Sequence, residues 1–64
     1  MKVFLAKEKK EIEISFEGKL KELFKNLGIE IELHLAVRNN ELITADEIIS
    51  DKDFVKIIPV VSGG

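Results

Sequence analysis

The sequence predicts an α+β fold in which four to five strands pack on a single helix. Three observations carry this expectation. Ile12, Ile14 and Phe16 alternate strictly with Glu11, Glu13 and Ser15, the two-residue period of a half-buried antiparallel strand. Leu20, Leu23, Phe24 and Leu27 fall at i, i+3, i+4 and i+7, the stripe of an amphipathic helix. Phe54-Val55-Lys56-Ile57-Ile58 is apolar on both faces, as a strand is when neighbours flank it and layers cover it.

In chain order, Lys2-Val3-Phe4-Leu5-Ala6 is a short first strand. The charged segment Lys7-Glu8-Lys9-Lys10 joins it to Glu11–Phe16, and so short a link predicts a β-hairpin. If Val3 and Leu5 face inward with Ile12 and Ile14, then Phe4 points to the other side of the sheet. The helix is well marked at its end by Gly28, suited to a left-handed cap, with Lys25 in the last turn. Its start is poorly marked, because Glu17, Gly18 and Lys19 offer no Ser, Thr, Asp or Asn to cap the first amides. After Ile29 and Glu30 the alternation returns, with Ile31, Leu33, Leu35 and Val37 against Glu32, His34, Ala36 and Arg38. Asn39-Asn40 predicts a tight turn, since asparagine tolerates positive φ, and Glu41-Leu42-Ile43 is a short returning strand. Thr44 to Asp53 is predicted as a compact loop with at most one helical turn, pinned to the core by one or both of Ile48 and Ile49. Pro59 is expected to end pairing of the last strand, so that residues 59–64 project as a tail. The five residues from Val60 onward would reach roughly 16 Å.

Composition excludes several functions. A chain of 64 residues is expected to form one domain, 1–64, without a deep cleft. Ten basic residues are interleaved with twelve acidic ones for a net charge of -2, so there is no basic footprint for nucleic acid and none for an anionic membrane. No apolar run approaches the ~18 to 20 residues of a membrane span, and a signal peptide's apolar stretch is absent. A soluble, cytoplasmic protein, monomeric when free, is the expectation. Without cysteine there is no disulfide, no thiolate metal site and no thiol nucleophile; any thioester chemistry must use a partner's thiol. The abundance of lysine, glutamate and isoleucine with no glutamine is a balance found in proteins from hot environments.

The chain ends Ile57-Ile58-Pro59-Val60-Val61-Ser62-Gly63-Gly64, a run of β-formers leading into two glycines. Such an end places a carboxylate on a narrow stalk free of side chains. Together with the order strand, strand, helix, strand, short strand, long strand, it resembles the ubiquitin-like β-grasp superfamily over the whole chain. The run "VKIIPVVSGG" after Asp51-Lys52-Asp53 is similar to the prokaryotic sulfur carriers, namely the thiamin-biosynthesis carrier and the small subunit of molybdopterin synthase. That family usually has glycine where Lys52 stands, and Asn-Gly where Asn39-Asn40 stands. The helix segment "KLKELFKNLG" is also similar.

The resemblance implies a mixed sheet on one helix with a flexible Gly-Gly tail. It implies that the reactive group is the terminal carboxylate of Gly64, adenylated by an ATP-dependent enzyme of the ubiquitin-activating type and converted to a thiocarboxylate. The tail residues Pro59, Val60, Val61, Ser62 and Gly63 would be read by partners. The sulfur would pass to an acceptor enzyme, thiazole synthase or the molybdopterin-synthase large subunit, or into thiolated transfer RNA. No cofactor would be bound to the carrier itself, ATP being used by the partner, and the carrier would be a reactant and not an enzyme. Phe4, Ala36, Ile58 and His34 are expected on the outer face of the sheet as a partner-binding patch beside the tail. Against this, one or two exposed apolar residues on a sheet are ordinary.

Other chemistry has little support. His34 is the only imidazole, and a metal site needs convergent ligands. Glu11, Glu13, Glu30 and Glu32 alternate as on a solvated strand face. Two further readings of the tail stand beside the carrier. One is a protein modifier joined through Gly64 to lysines. The other is a structural or designed β-grasp module on which Ser62-Gly63-Gly64 is a linker remnant.

Overall fold

A computed structural model of the chain describes residues 1–60; Val61, Ser62, Gly63 and Gly64 lie outside the described residues. Strands β1 (Lys2–Leu5) and β2 (Lys10–Glu13) form the predicted hairpin, with Val3 opposite Ile12. The ladder is shorter than the alternation through Phe16 predicts. Ile14 N–H still donates to the Met1 carbonyl at 2.9 Å, but Phe16 N–H turns to the Asp51 carboxylate at 2.6 Å. Phe16 nonetheless packs against the core, because the chain is crossing there from the sheet to the helix.

Helix α1 (Leu20–Leu27) buries Leu20, Leu23 and Phe24 and leaves its charged face to solvent. At its end Gly28 adopts φ 70°. Its N–H donates to Lys25 and that of Ile29 to Phe24, closing the carbonyls of the last turn as predicted. The start is capped by tertiary structure. Leu20 N–H donates to the Glu47 carbonyl at 2.9 Å and Lys21 N–H to the Ala45 carbonyl at 3.1 Å, which satisfies two amides that have no partner within the helix. Glu22 adds a side-chain acceptor for the Lys19 N–H at 3.4 Å, so no Ser, Thr, Asp or Asn is needed at the cap.

The same contact explains the 44–53 segment, where a helical turn had been allowed. Ile48–Ile49 is instead a short strand, β6, paired antiparallel with β3 (Gly18–Lys19). Ile49 is fully buried and Ile48 exposed, so one isoleucine pins the loop. Arg38 holds it from the sheet side: its guanidinium donates to the Ile48 carbonyl at 2.7 Å and to Glu47 at 3.1 Å, with Asp53 at 3.8 Å. Lys52 needs no left-handed conformation, because the turn is closed by reciprocal bonds between Ser50 and Asp53, at 2.9 and 3.0 Å.

Strands β4 (His34–Arg38) and β5 (Glu41–Ile43) flank the Asn39-Asn40 turn, where both asparagines have positive φ, 52° and 69°. Strand β7 (Phe54–Pro59) pairs parallel with β1 and antiparallel with β4. The sheet order β2-β1-β7-β4-β5 is mixed and places β7 at the centre, as its two apolar faces predict. One helix across such a sheet is the ubiquitin-like β-grasp fold. Among the described residues no helix is long and apolar enough to cross a membrane.

Candidate functional site

The end of β7 is where the body meets the expected tail, and here the structure corrects the sequence. Pro59 was expected to end pairing, yet it is the last residue of β7, opposite His34, and Val60 N–H donates to the Leu33 carbonyl at 2.8 Å. Successive residues of a strand direct their backbone groups to opposite edges. Val60 faces β4, so the nitrogen of Pro59 faces the β1 edge. There β1 has finished: its last bond to β7 is Ala6 N–H to the Ile57 carbonyl at 3.0 Å. A residue without a donor therefore costs no ladder bond at 59. Pairing therefore continues past Pro59, at least as far as Val60.

The β4 face is also reversed. Cross-strand partners share a face, and Ala36 lies opposite both Ile57 and Ile43, so it is buried on the helix side at 2% exposure. Phe24, the largest fully buried side chain, already supplies the volume of this layer, and a methyl group suffices at 36. The predicted strand from Ile31 is shortened by a 3₁₀ turn over Ile31–Leu33. Ala36 therefore does not belong to the outer face, and neither does His34, whose ring meets that of Phe24 edge to face at a centroid distance of 6.3 Å.

Phe4 and Ile58 do lie on the outer face. Leu35 and Val37 take the places assigned to His34 and Ala36. The register sets one outward row across all five strands, Glu11, Phe4, Lys56, Val37 and Leu42, and beside it Leu35 faces Ile58. Leu35 is 45% exposed and Leu42 65%. Phe54 is exposed on the same face, opposite Lys2. The result is an apolar surface, with Lys56 in its middle, that runs to the root of the tail at Ile58 and Val60. A patch of this kind marks a docking surface more often than single exposed residues do. Phe54 and Leu42 were missed because both faces of their strands carry apolar residues, and Leu35 because alternation put it on the apolar face of 31–38, which the pairing turns outward.

On the opposite side a groove of about 300 Å³ lies beside the same root, between the β1–β2 turn and the 3₁₀ turn, with Leu5, Ile29 and Ile57 at its base and Lys7, Glu30 and His34 at its rim. Among the described residues no three His, Cys, Asp or Glu side chains converge as metal ligands. The remaining tail positions, Val61, Ser62, Gly63 and Gly64, lie outside the described residues.

Comparison with known proteins relates the chain to a family model and to a curated protein. The model of the ThiS family matches residues 3–64. The sulfur carrier protein TtuB of Thermus thermophilus is 33% identical over 57 residues, covering 89% of this chain and 88% of that protein.

Proposed function

This chain belongs to the ThiS family, and from that premise we propose that it is a sulfur carrier whose Gly64 carboxylate is activated and then converted to a thiocarboxylate. The observation that carries the reading is the family match across residues 3–64, which includes both terminal glycines. The similarity to a sulfur carrier protein over most of both chains supports it.

The chemistry suits the residues. A carboxylate is a poor electrophile. A carboxylate oxygen of Gly64 attacks the α-phosphorus of ATP and pyrophosphate leaves, giving a mixed anhydride with AMP. A sulfur nucleophile from the partner system then adds to the activated carbonyl, and AMP leaves with the bridging oxygen. Both charge-developing steps need electrostatic stabilisation, which a partner's pocket would supply. The protein is thus a co-substrate, and glycines at 63 and 64 let its backbone pass close to the walls of a partner's channel. An adenylating enzyme of the ubiquitin-activating type and a sulfur acceptor are the partners this requires. The acceptor is the thiamin, molybdopterin or transfer-RNA thiolation machinery.

Incubation with activating enzyme, ATP and a sulfur source is expected to raise the mass of the C-terminal peptide by the difference between sulfur and oxygen. An unchanged peptide under conditions where the enzyme adenylates a known carrier would refute the reading. Adducts of the tail on lysines, without the sulfur-containing peptide, would favour a protein modifier.

The outer face gives a second prediction. Phe4→Glu combined with Ile58→Glu is expected to weaken binding to the activating enzyme by about 100-fold, at roughly tenfold for each buried anchor. Both side chains are only half-buried in the free protein and point away from the core, so the thermal midpoint should move little. Titration by calorimetry checks it, and unchanged affinity would remove the patch from the binding surface.

A further inference from the structure

We propose that His34 is a positioning residue that latches Val60, the root of the C-terminal segment, to the helix through the 3₁₀ turn. The inference rests on the carrier reading above for its consequence, but its structural basis is independent of it.

The last described backbone bond holding the C-terminal segment is Val60 N–H to the Leu33 carbonyl, 2.8 Å. Pro59 has no N–H to donate, so this bond fixes the described end of β7 against β4. Leu33 ends the 3₁₀ turn Ile31–Leu33, in which only Ile31 packs, partly buried, against the core. A single 3₁₀ turn with one half-buried anchor is a weak support. His34 reinforces it from both its backbone and its ring. His34 N–H donates to the Ile31 carbonyl, and Nδ1 lies 2.8 Å from the Glu30 carbonyl, the same oxygen that accepts Leu33 N–H at 3.1 Å. A carbonyl oxygen can only accept, so Nδ1 carries the proton in this bond.

The ring is in turn fixed by the core. Its edge-to-face partner Phe24 is 1% exposed, and an 84° interplanar angle is the geometry such pairs favour. His34 also stands opposite Pro59, at a position without hydrogen bonds between the pair, where cross-strand side chains approach more closely. A continuous path of contacts therefore runs from Phe24 through the His34 ring to Glu30, through the turn to Leu33, and on to Val60.

A root held this way at Val60 has less freedom to lose when a partner binds there, and ordering cost at an interface appears as weaker affinity when the hold is removed. His34 touches no reacting atom, so it acts on recognition of the carrier and not on the adenylation step.

The test compares His34→Leu, which keeps bulk but removes the donor, with His34→Asn, whose amide N–H can replace Nδ1. In the full chain, His34→Leu is expected to speed hydrogen exchange of the Val60 amide by about tenfold, as for loss of one supporting hydrogen bond. The Val55 amide, bonded in mid-sheet, should be unaffected. In the adenylation assay with the carrier as varied substrate, KM should rise by about tenfold with kcat unchanged. His34→Asn should restore most of both. Unchanged Val60 exchange in His34→Leu, a fall in kcat in place of the rise in KM, or equal behaviour of the two variants would each overturn the latch. If the unaltered protein is not adenylated, the carrier reading fails, and the exchange rates alone then decide whether the latch exists.

Discussion

Deleting Gly63 and Gly64 is expected to abolish formation of the adenylate and the thiocarboxylate while leaving the thermal midpoint unchanged. The described core is complete by Ile57, and the last described ladder bond is made at Val60, so the body keeps its stabilising contacts. What is lost is the reacting group. The deletion leaves a carboxylate on Ser62, two residues short, so the new terminus falls short of the nucleotide when the body docks unchanged. A milder variant tests the fit. Gly63→Val retains the terminal carboxylate but adds a branched side chain to the part of the tail that must thread the partner, and a displacement of about 1 Å at a reacting centre costs roughly 100-fold in rate. The expected result is a fall of that order in kcat/KM for adenylation, measured by ATP–pyrophosphate exchange, with normal binding of the body. Full activity of the deletion would refute the assignment of chemistry to Gly64. Full activity of Gly63→Val would instead show that the channel is wide.

Phe24→Ala is expected to remove most of the stability of the fold. Phe24 is the largest fully buried side chain, and its truncation leaves a cavity between helix and sheet. Such replacements cost about 3–5 kcal/mol. At ~0.05–0.15 kcal/mol per residue, a domain of this length has only about 3–10 kcal/mol in total. The thermal midpoint should fall by about 12 to 40 °C, since each kcal/mol moves a domain of this size by roughly 4–8 °C. Urea denaturation with an unchanged slope would confirm that stability was lost without a change in the transition. A loss below about 1 kcal/mol would mean that the core closes over the gap. Leu42→Ala, on the exposed face, is the matched control and should change stability by less than about 0.5 kcal/mol.

Much of the fold was legible in local pattern. The periods of residues 11–14 and 20–27 depend only on which neighbours are apolar, and they mark a strand and a helix wherever those elements pack. Gly28 and Asn39-Asn40 are legible for the same reason, because the left-handed conformation is a property of the residue and its immediate chain. The candidate reactive group was also legible, since a terminal pair of glycines after a β-forming run is a local feature, and it matches a family whose members share the order of elements.

The remainder depended on contacts distant in sequence. Alternation in 31–38 pointed Leu35 to the core and Ala36 outward, and only the pairing of Ala36 with Ile57 and Ile43 reverses this and buries the smaller side chain. The apolar outer face at Leu35, Leu42 and Phe54 follows from that choice. The helix start was unreadable because its amides are satisfied by carbonyls of Ala45 and Glu47, more than twenty residues away. Pro59 was read as a stop because proline lacks a donor. Whether that matters depends on which edge its nitrogen faces and whether a strand is still there. Residue type and spacing thus determined the main strands and the helix. Tertiary pairing decided which faces are buried and how far β7 stays paired past Pro59, because each of these is set by the residue across the sheet and not by the next one along the chain.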